Sequence, residues 1–436
     1  MNAKISKLVS LFLAMLMLGI SVGCNNSAEK VNSEDSNKTS NESINDAELE
    51  KLRGTTVKFA TWRNPETDED GPVIKSFQEK YGIKVEIVTV PQDTYIMDLS
   101  GKIASGDSPD IYFCNADFPG CLTVLQPLEA AGLDFSDPIW DQSMIKLSTV
   151  GGKPYLVNTV GNIWNEVDCV YYNKKLLENN NITTPEEYYE QGKWTFDAMT
   201  KVMTSVKNLG SKYIGGYFKV ESLVGSTGTN FYNWKDGEFS NGINDDLTNV
   251  MKYISNSIKN GLVKGTSNEN RDEFINGNVG IAVTNAFGLK KTGYWSRMNP
   301  SSIGFTFIPD YDETHKAVST GIFRGWGLIK GAKNPKAAGL FLRYYLDVNN
   351  YDTATSFISE EAETFFFKLT GIDTAEKNPY MFVGIENVTG TPNQNYLDIA
   401  KADPNQVSQQ LSSISNVVDS NVKILNSAIN KKVAEN

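Results

Sequence analysis

The chain has 436 residues, a formal net charge of −11, 40% hydrophobic residues and 11% aromatic residues. This composition is typical of a globular protein, and the length is too great for one compact core, so we expect two lobes. The acidic charge argues against nucleic-acid binding, because neutralising phosphates requires clustered Lys and Arg side chains.

The first 24 residues have the features of an export signal. Lys4 and Lys7 precede an uncharged apolar run over residues 8–18, and small residues lead up to Cys24. This order is typical of a secretory signal, and the run is shorter than the ~20 apolar residues that span a membrane. The end of the signal resembles a bacterial lipobox, which implies cleavage before Cys24 and attachment of diacylglycerol to its sulfur. Ser21 stands where the lipobox usually has Leu, so a secreted protein with a chance cysteine is the alternative.

The segment after the signal is predicted to be a tether. We assign residues 1–23 to a lipoprotein signal peptide and residues 24–53 to a disordered tether, which is rich in Asn, Ser, Glu and Lys. Such a segment cannot bury enough apolar surface to offset the entropy lost on ordering. Acyl chains on Cys24 would hold the folded body at a membrane, because each buried methylene adds ~0.8 kcal/mol.

The beginning of the body alternates between strand and helix patterns. Val73, Ile74 and Phe77 recur at helical spacing and Gly82 is a helix stop. In chain order the predicted elements are a strand at 57–62, a helix at 72–81, a strand at 83–90, a helix at 94–104 and a strand at 110–114. This order predicts a mostly parallel sheet.

Capping residues mark several helix starts in the later chain. Thr184 begins a capping box with Pro at the first helical position, and Thr195 can cap a helix that ends at Gly210. Asn334 precedes another helix that begins with Pro. An apolar stripe over residues 407–429 steps mostly by three and four. We interpret it as a helix pair that packs on its own lobe, with a coiled coil as the alternative.

Four segments along the body carry short motifs. They are ASGDSPDI at 104–111, VYYNKKLL at 170–177 followed by Pro185 and Trp194, EFINGNVGIAV at 273–283, and GLI at 327–329 with NPKAA at 334–338. Each motif alone is weak. Their order and spacing, from about residue 56 to residue 430, resemble the extracellular solute-binding proteins of ABC importers. The resemblance is to the carbohydrate-binding family 1, which includes maltose-binding protein.

The resemblance implies an α/β fold of the two-lobe periplasmic-binding-protein type, class II-like, with crossing hinge strands. Lobe 1 would hold residues 54–160 and 320–375, and lobe 2 would hold residues 161–319 and 376–436. The ligand would lie in the cleft between the lobes, which close by hinge bending. The family in single-membrane bacteria is commonly lipid-tethered, so we expect this protein on the outer face of a Gram-positive cytoplasmic membrane. We also expect a monomer that uses no cofactor.

Sugar sites need aromatic rings for the C–H faces and planar polar side chains for paired hydroxyls. We expect such groups at the strand ends that face the cleft. The candidate ligand-binding residues are Trp62, Arg63, Asn115, Asp117, Asn162, Trp164, Glu166, Tyr217, Phe287, Trp295, Arg324 and Trp326. For each aromatic residue, core packing is the alternative.

The sequence offers little for catalysis or metal binding. His315 is the sole histidine and lies in a polar loop, so nucleophile schemes have one poorly placed base. Cys114, Cys121 and Cys169 are an odd number without metal-like spacing; a disulfide between Cys114 and Cys121 is the alternative to buried free thiols. A glycosidase needs two carboxylates at a set separation, which the sequence neither shows nor excludes.

The predicted function is capture of an oligosaccharide or related glycan and delivery to an ABC permease. The many candidate aromatic residues and few motif-positioned cations favour a neutral sugar over a peptide, a polyamine or a metal. A sensor accessory that presents ligand to a membrane receptor is a further alternative, which this sequence does not separate from transport.

Overall fold

The computed structural model describes residues 46–66, 69–115, 118–264, 271–322, 324–371, 381–382 and 392–435. The predicted signal peptide, Cys24 and Asp117 lie outside these residues. None of the helices in the described residues combines the length and the apolar character that a membrane span requires.

Strands form two main sheets and two hairpins. In chain order they are β1 (Thr56–Thr61), β2 (Lys84–Thr89), β3 (Ile111–Asn115), β4 (Leu125–Gln126), β5 (Thr149–Val150), β6 (Lys153–Pro154), β7 (Glu166–Asn173), β8 (Ile214–Phe218), β9 (Tyr232–Lys235), β10 (Glu238–Asn241), β11 (Val279–Asn285), β12 (Ile303–Thr306), β13 (Gly321–Ile322), β14 (Arg324–Ile329) and β15 (Met381–Phe382).

Helices cover these sheets. In chain order they are α1 (Asp46–Leu52), α2 (Gly71–Tyr81), α3 (Tyr95–Ala104), α4 (Gln142–Leu147), α5 (Lys174–Glu178), α6 (Pro185–Glu190), α7 (Phe196–Lys207), α8 (Val220–Ser226), α9 (Asp245–Lys259), α10 (Arg271–Ile275), α11 (Pro335–Tyr345), α12 (Glu360–Gly371), α13 (Pro392–Lys401) and α14 (Val407–Glu435).

The first sheet has the strand order β2-β1-β3-β14-β4. Strand β1 is parallel to both β2 and β3, so the parallel arrangement predicted from the strand and helix order is confirmed. The returning strand β14 lies antiparallel to β3 and brings Arg324 opposite Asn115. Helix α2 ends where predicted, since Gly82 adopts the left-handed conformation at φ 65°.

The second sheet has the order β15-β13-β7-β11-β8, with β12 also paired to β7. Strand β7 is antiparallel to β11, β12 and β13. The predicted helix starts beside this sheet are confirmed: Thr184 forms a capping box with Glu187, and the Thr195 hydroxyl accepts a hydrogen bond from the Ala198 amide.

The chain passes from one sheet to the other within a few residues. Gly321 in β13 pairs with Val167 of the second sheet, whereas Arg324 in β14 pairs with Asn115 of the first sheet. The segment between β6 and β7 makes another such crossing, and it carries Trp164. These crossings define a junction between two lobes, each built on one sheet.

Two segments differ from the sequence-based boundaries. Helix α1 falls inside the predicted tether, because Leu49 and Leu52 lie three residues apart and pack against the hydrophobic core of the first sheet. Residues Phe357 and Phe366 belong to the hydrophobic core of the second sheet, although residues 320–375 were assigned to lobe 1. Periodicity predicts which side chains are buried, but not against which sheet they pack.

The C-terminal stripe forms one helix of 29 residues, α14, rather than the expected helix pair. Residues 407–435 contain neither Gly nor Pro, so nothing in the sequence interrupts the helix. Leu411, Val418 and Leu425 are buried in the core that also holds the β9–β10 hairpin. The stripe therefore packs against its own lobe as expected, but the expected interruption between two helices does not occur in it.

Candidate functional site

Asp70 links three parts of the chain at the junction. Its fully buried carboxylate accepts hydrogen bonds from Arg63 Nη2 at 3.2 Å, from Trp164 Nε1 at 3.0 Å and from the Tyr345 hydroxyl at 3.0 Å. A buried carboxylate is tolerated only with such donors. The loop after β1, the first crossing and α11 are therefore fixed to one another.

Asp70 is not among the site residues predicted from the sequence, and the reason is local. Asp70 directly precedes Gly71-Pro72, where an Asp is normally interpreted as a helix cap. In the structure it occupies the cap position of α2 but makes no side-chain capping hydrogen bond. Its carboxylate is directed to the junction instead.

The Trp164 ring is held between cationic groups. The Arg63 guanidinium carbon lies 4.0 Å from the ring centroid and Lys290 Nζ lies 3.9 Å from it, which are cation–π distances. Trp164 is 8% exposed. Asn162 fixes the backbone here, because its side-chain oxygen accepts a hydrogen bond from the Trp164 amide at 2.8 Å. The indole position is therefore set before any ligand arrives.

Lys290 enters this group from the segment after β11. Its Nζ lies 3.5 Å from Glu69 Oε2, and its side chain is 2% exposed. Burial lowers the pKa of Lys290 to about 8, although the nearby carboxylates of Glu69 and Asp70 act in the opposite direction. Arg63 adds to the lowering, since it is a like charge. We call Arg63, Asp70, Trp164, Lys290 and Tyr345 the junction cluster.

A second charged group joins the two sheets directly. Arg324 Nη2 of β14 lies 2.6 Å from Glu166 Oε1 of β7, and Glu166 Oε2 accepts a hydrogen bond from Asn285 Nδ2 at 3.1 Å. Burial lowers the pKa of the Arg324 guanidinium, against the attraction of Glu166. A third ion pair involves Asp168, two residues after Glu166 in β7. Lys219 Nζ lies 3.0 Å from Asp168 Oδ1.

Two of the predicted aromatic residues keep a partly exposed ring near these groups. Trp62 is half-buried and packs against Tyr95 at 5.0 Å and Phe113 at 4.9 Å between ring centroids. The same Phe113 ring lies 5.3 Å from the Arg324 guanidinium. Phe287, three residues before Lys290, is also half-buried. The structure thus brings Trp62, Arg63, Asn162, Trp164, Glu166 and Arg324 to the junction. Phe287 lies close to them, because its amide donates a hydrogen bond to Asn285, whose side chain bonds Glu166.

Three other predicted aromatic residues lie in the cores of the lobes. Trp326 is 0% exposed, with its ring centroid 5.0 Å from that of Phe113. Trp295 is also 0% exposed and lies 4.5 Å from the Phe274 ring. Tyr217 is 3% exposed, and burial raises the pKa of its hydroxyl. Their positions correspond to the core-packing alternative, because strand position alone does not tell which face of the sheet a side chain takes.

The remaining candidates add little. Asn115 ends β3 opposite Arg324, and Asp117 lies outside the described residues. Cys114, Cys121 and Cys169 are buried free thiols rather than a disulfide and a single thiol. Among the described residues, no group of three His, Cys, Asp or Glu side chains is placed to hold a metal ion.

The fold and the junction define a two-lobe binding protein, and the family comparison agrees. Residues 55–348 match the family model for bacterial extracellular solute-binding protein. The match covers more than half of the chain, so this chain belongs to that family, the family 1 solute-binding proteins of ABC importers. No curated protein matches the chain.

Solved structures show the same fold. The extracellular solute-binding protein of Staphylococcus aureus in complex with maltose is 16% identical, with a TM-score of 0.65 over 85% of this chain and 98% of that chain. The galacto-N-biose-/lacto-N-biose I-binding protein of Bifidobacterium longum is 14% identical, with a TM-score of 0.62 over 87% and 98%. A cyclo/maltodextrin-binding protein complexed with maltotetraose is 18% identical, with a TM-score of 0.58 over 82% and 96%. These neighbours are binding proteins rather than enzymes.

Proposed function

We propose that this protein is the lipid-anchored substrate-binding component of an ABC importer and that it captures a neutral oligosaccharide between its lobes. The observation that carries the proposal is the internal pairing of charges at the junction. Arg324 faces Glu166, Lys219 faces Asp168 and Arg63 faces Asp70. Paired charges present polar hydrogen-bonding groups without a net field, which suits hydroxyl groups rather than ions.

The half-buried rings of Trp62 and Phe287 supply the apolar surface that a sugar needs. We propose these two rings, with Glu166 and Arg324, as the ligand-contacting part of the predicted set. The neighbours solved with maltose, lacto-N-biose and maltotetraose make a sugar the first ligand class to test.

The two-lobe fold suits a transport cycle of closing and opening. The ligand draws the lobes together only by binding the closed form more tightly than the open form. We propose that the closed protein docks both lobes on a permease pair and that the permease then opens the lobes. Lipid attachment at Cys24 would keep the receptor at high local concentration beside its importer. In the alternative sensor role the closed protein would dock on a membrane receptor instead of a permease, and the binding of the sugar would be the same.

A thermal-shift screen over a glycan panel tests the binding step, because a ligand at about 100 times its Kd stabilises by ~2.7 kcal/mol. We expect one class of neutral oligosaccharide to raise the melting temperature, and calorimetry to give a one-to-one complex. The sugar should be recovered uncut after prolonged incubation. A peptide or polyamine that raises the melting temperature while no sugar does so would overturn the proposal.

A further inference from the structure

We propose that Glu69 and Lys290 form a hydroxyl-binding pair that spans the junction and contacts the bound sugar through one of its hydroxyl groups. The inference rests on the proposed function, since it assigns an additional contact within the same ligand site. Glu69 precedes Asp70 on the first-lobe side, and Lys290 follows β11 on the second-lobe side.

The polar atoms of this pair face each other in a long ion pair. Among the described residues, Glu69 Oε2 and Lys290 Nζ form an ion pair with each other, but neither atom makes a hydrogen bond of normal geometry, although both atoms are buried. The two atoms are 3.5 Å apart, longer than the ~2.7–2.9 Å of a charge-assisted hydrogen bond. Buried polar groups are nearly always satisfied, so a pair left in this state requires an explanation.

Among the described residues, the other neighbours of Lys290 do not supply a closer acceptor for its ammonium group. Its Nζ lies 3.9 Å from the Trp164 ring centroid and 5.7 Å from that of Phe357. Ring faces attract an ammonium group but accept no strong hydrogen bond. Of the other charged groups that affect Lys290, Asp70 is bonded to Arg63, Trp164 and Tyr345, and Arg63 is a cation.

One hydroxyl group satisfies both atoms. An ammonium group only donates and an ionised carboxylate only accepts, whereas a hydroxyl group accepts one hydrogen bond and donates another. An oxygen at about 2.8 Å from each atom, with the roughly tetrahedral angle of a hydroxyl group, needs the two atoms about 4.6 Å apart, so the pair would part by about 1 Å to admit it. The hydroxyl would sit beside the Trp164 ring, in a place where loss of either contact leaves a buried group unpaired.

Opening of the lobes gives the ligand its access. Lys290 is 2% exposed in this conformation, so a sugar reaches it only when the Glu69 side of the junction separates from the Lys290 side. The pair then forms its hydroxyl contact as the lobes close. Since one member comes from each side, the contact favours the closed form.

The test uses the full mature protein and the sugar that the glycan screen identifies. We expect Lys290→Met and Glu69→Gln each to weaken the calorimetric affinity by about tenfold or more, the cost of losing a hydrogen bond to a charged group. Lys291→Met and Glu66→Gln are matched controls on exposed neighbouring residues and should bind as wild type. Affinity of the wild type should fall as the pH rises from 7 to 9, and that of Lys290→Met should not.

Mono-deoxy analogues of the sugar sharpen the result. One deoxy analogue should bind the wild type about tenfold more weakly, yet bind Lys290→Met no worse than the parent sugar does, because the contact is already lost. If Lys290→Met does not fold, Glu69→Gln gives the same readout. If both variants bind the sugar as tightly as the wild type does, the inference is overturned, although sugar binding itself stands. An ordered water would then occupy the place between Glu69 and Lys290. A wild type that binds no sugar would instead overturn the proposed function, and this inference with it.

Discussion

Arg324 Nη2 lies 2.6 Å from Glu166 Oε1, and the two residues belong to different sheets. Arg324 begins the strand that returns to the first sheet, and Glu166 begins the longest strand of the second sheet. Both side chains are largely buried, at 9% and 18% exposed. The pair therefore ties the lobes together at the point where the chain crosses between them.

Removing one member of this pair should destabilise the protein. We expect Glu166→Gln to lower the free energy of unfolding by about 2–4 kcal/mol, because it leaves the Arg324 charge buried without its counter-charge. Urea unfolding monitored by Trp fluorescence measures the change. Glu79→Gln is the control, since Glu79 forms an exposed pair with Lys75, and such pairs contribute less than about 1 kcal/mol. Equal effects of the two variants would contradict the structural role given to Glu166.

Trp326 should matter for folding rather than for binding. Trp326→Ala leaves a cavity beside Phe113 in the core of the first sheet, and large-to-alanine changes of this kind cost about 3–5 kcal/mol. We expect a much lower melting temperature, with unchanged ligand affinity of the protein that remains folded. Trp326→Phe should lose less stability, because it leaves a smaller cavity. A stable Trp326→Ala variant that binds sugar poorly would indicate that Trp326 contacts the ligand.

Trp62 and Phe287 should show the opposite behaviour. We expect Trp62→Ala and Phe287→Ala each to weaken the free energy of sugar binding by at least about 0.5–1.5 kcal/mol. An aromatic contact contributes this amount in addition to the burial of its apolar surface. The melting temperature of the unliganded protein should fall less than in Trp326→Ala, since both rings are half-buried. Calorimetry and thermal unfolding of the same samples separate the two effects. Wild-type affinity in both variants would remove these rings from the proposed site.

Lys290 should give the protein a measurable pH dependence of stability. Its pKa is lowered to about 8 in the folded protein by burial, whereas an unfolded chain keeps the lysine protonated to a pH of about 10.4. Between these two pH values the unfolded chain binds more protons, so the free energy of unfolding rises with pH, by up to about 3 kcal/mol.

The comparison with Lys290→Met isolates this contribution. Other titrating groups act on both proteins alike, so the difference in free energy of unfolding should increase in favour of the wild type from pH 8 to pH 10. Urea titrations at intervals of half a pH unit provide the measurement. A constant difference across that range would mean that Lys290 keeps an ordinary pKa.

The predicted anchor is tested at Cys24. We expect radiolabelled palmitate to be incorporated into the wild-type protein in its host and lost in Cys24→Ser, with the variant released from the membrane fraction. Ligand affinity of the released protein should be unchanged, because Cys24 precedes the first described helix, α1, and the proposed ligand site lies after it in the chain. Label retained by Cys24→Ser would show that the lipid is attached elsewhere.

Local patterns predicted local structure well. The parallel start of the first sheet follows from alternating strand and helix signals, and Gly82, Thr184 and Thr195 mark helix ends as their chemistry requires. Chain length predicted two lobes, and the family motifs added the periplasmic-binding-protein type of fold with crossing strands and a cleft between the lobes.

The candidate site residues fall into two groups that differ in where they are buried. Arg63, Trp164, Glu166 and Arg324 meet at the junction, whereas Tyr217, Trp295 and Trp326 lie in the cores, and the sequence signals for the two groups were similar. Asp70, Lys290 and Glu69 carried no motif, because a carboxylate before a helix and a lysine after a strand are ordinary surface patterns.

The sequence by itself predicted an export signal and determined the order of strands and helices and the residue types available for binding, because these depend on neighbours along the chain. Only the tertiary structure decided which of those residues meet, since hydrogen bonds such as that between Asp70 and Trp164 join positions 94 residues apart. Burial decided the rest: Lys290, which the sequence presents as an ordinary surface cation, becomes a buried charge that lies against Trp164 and forms a long ion pair with Glu69.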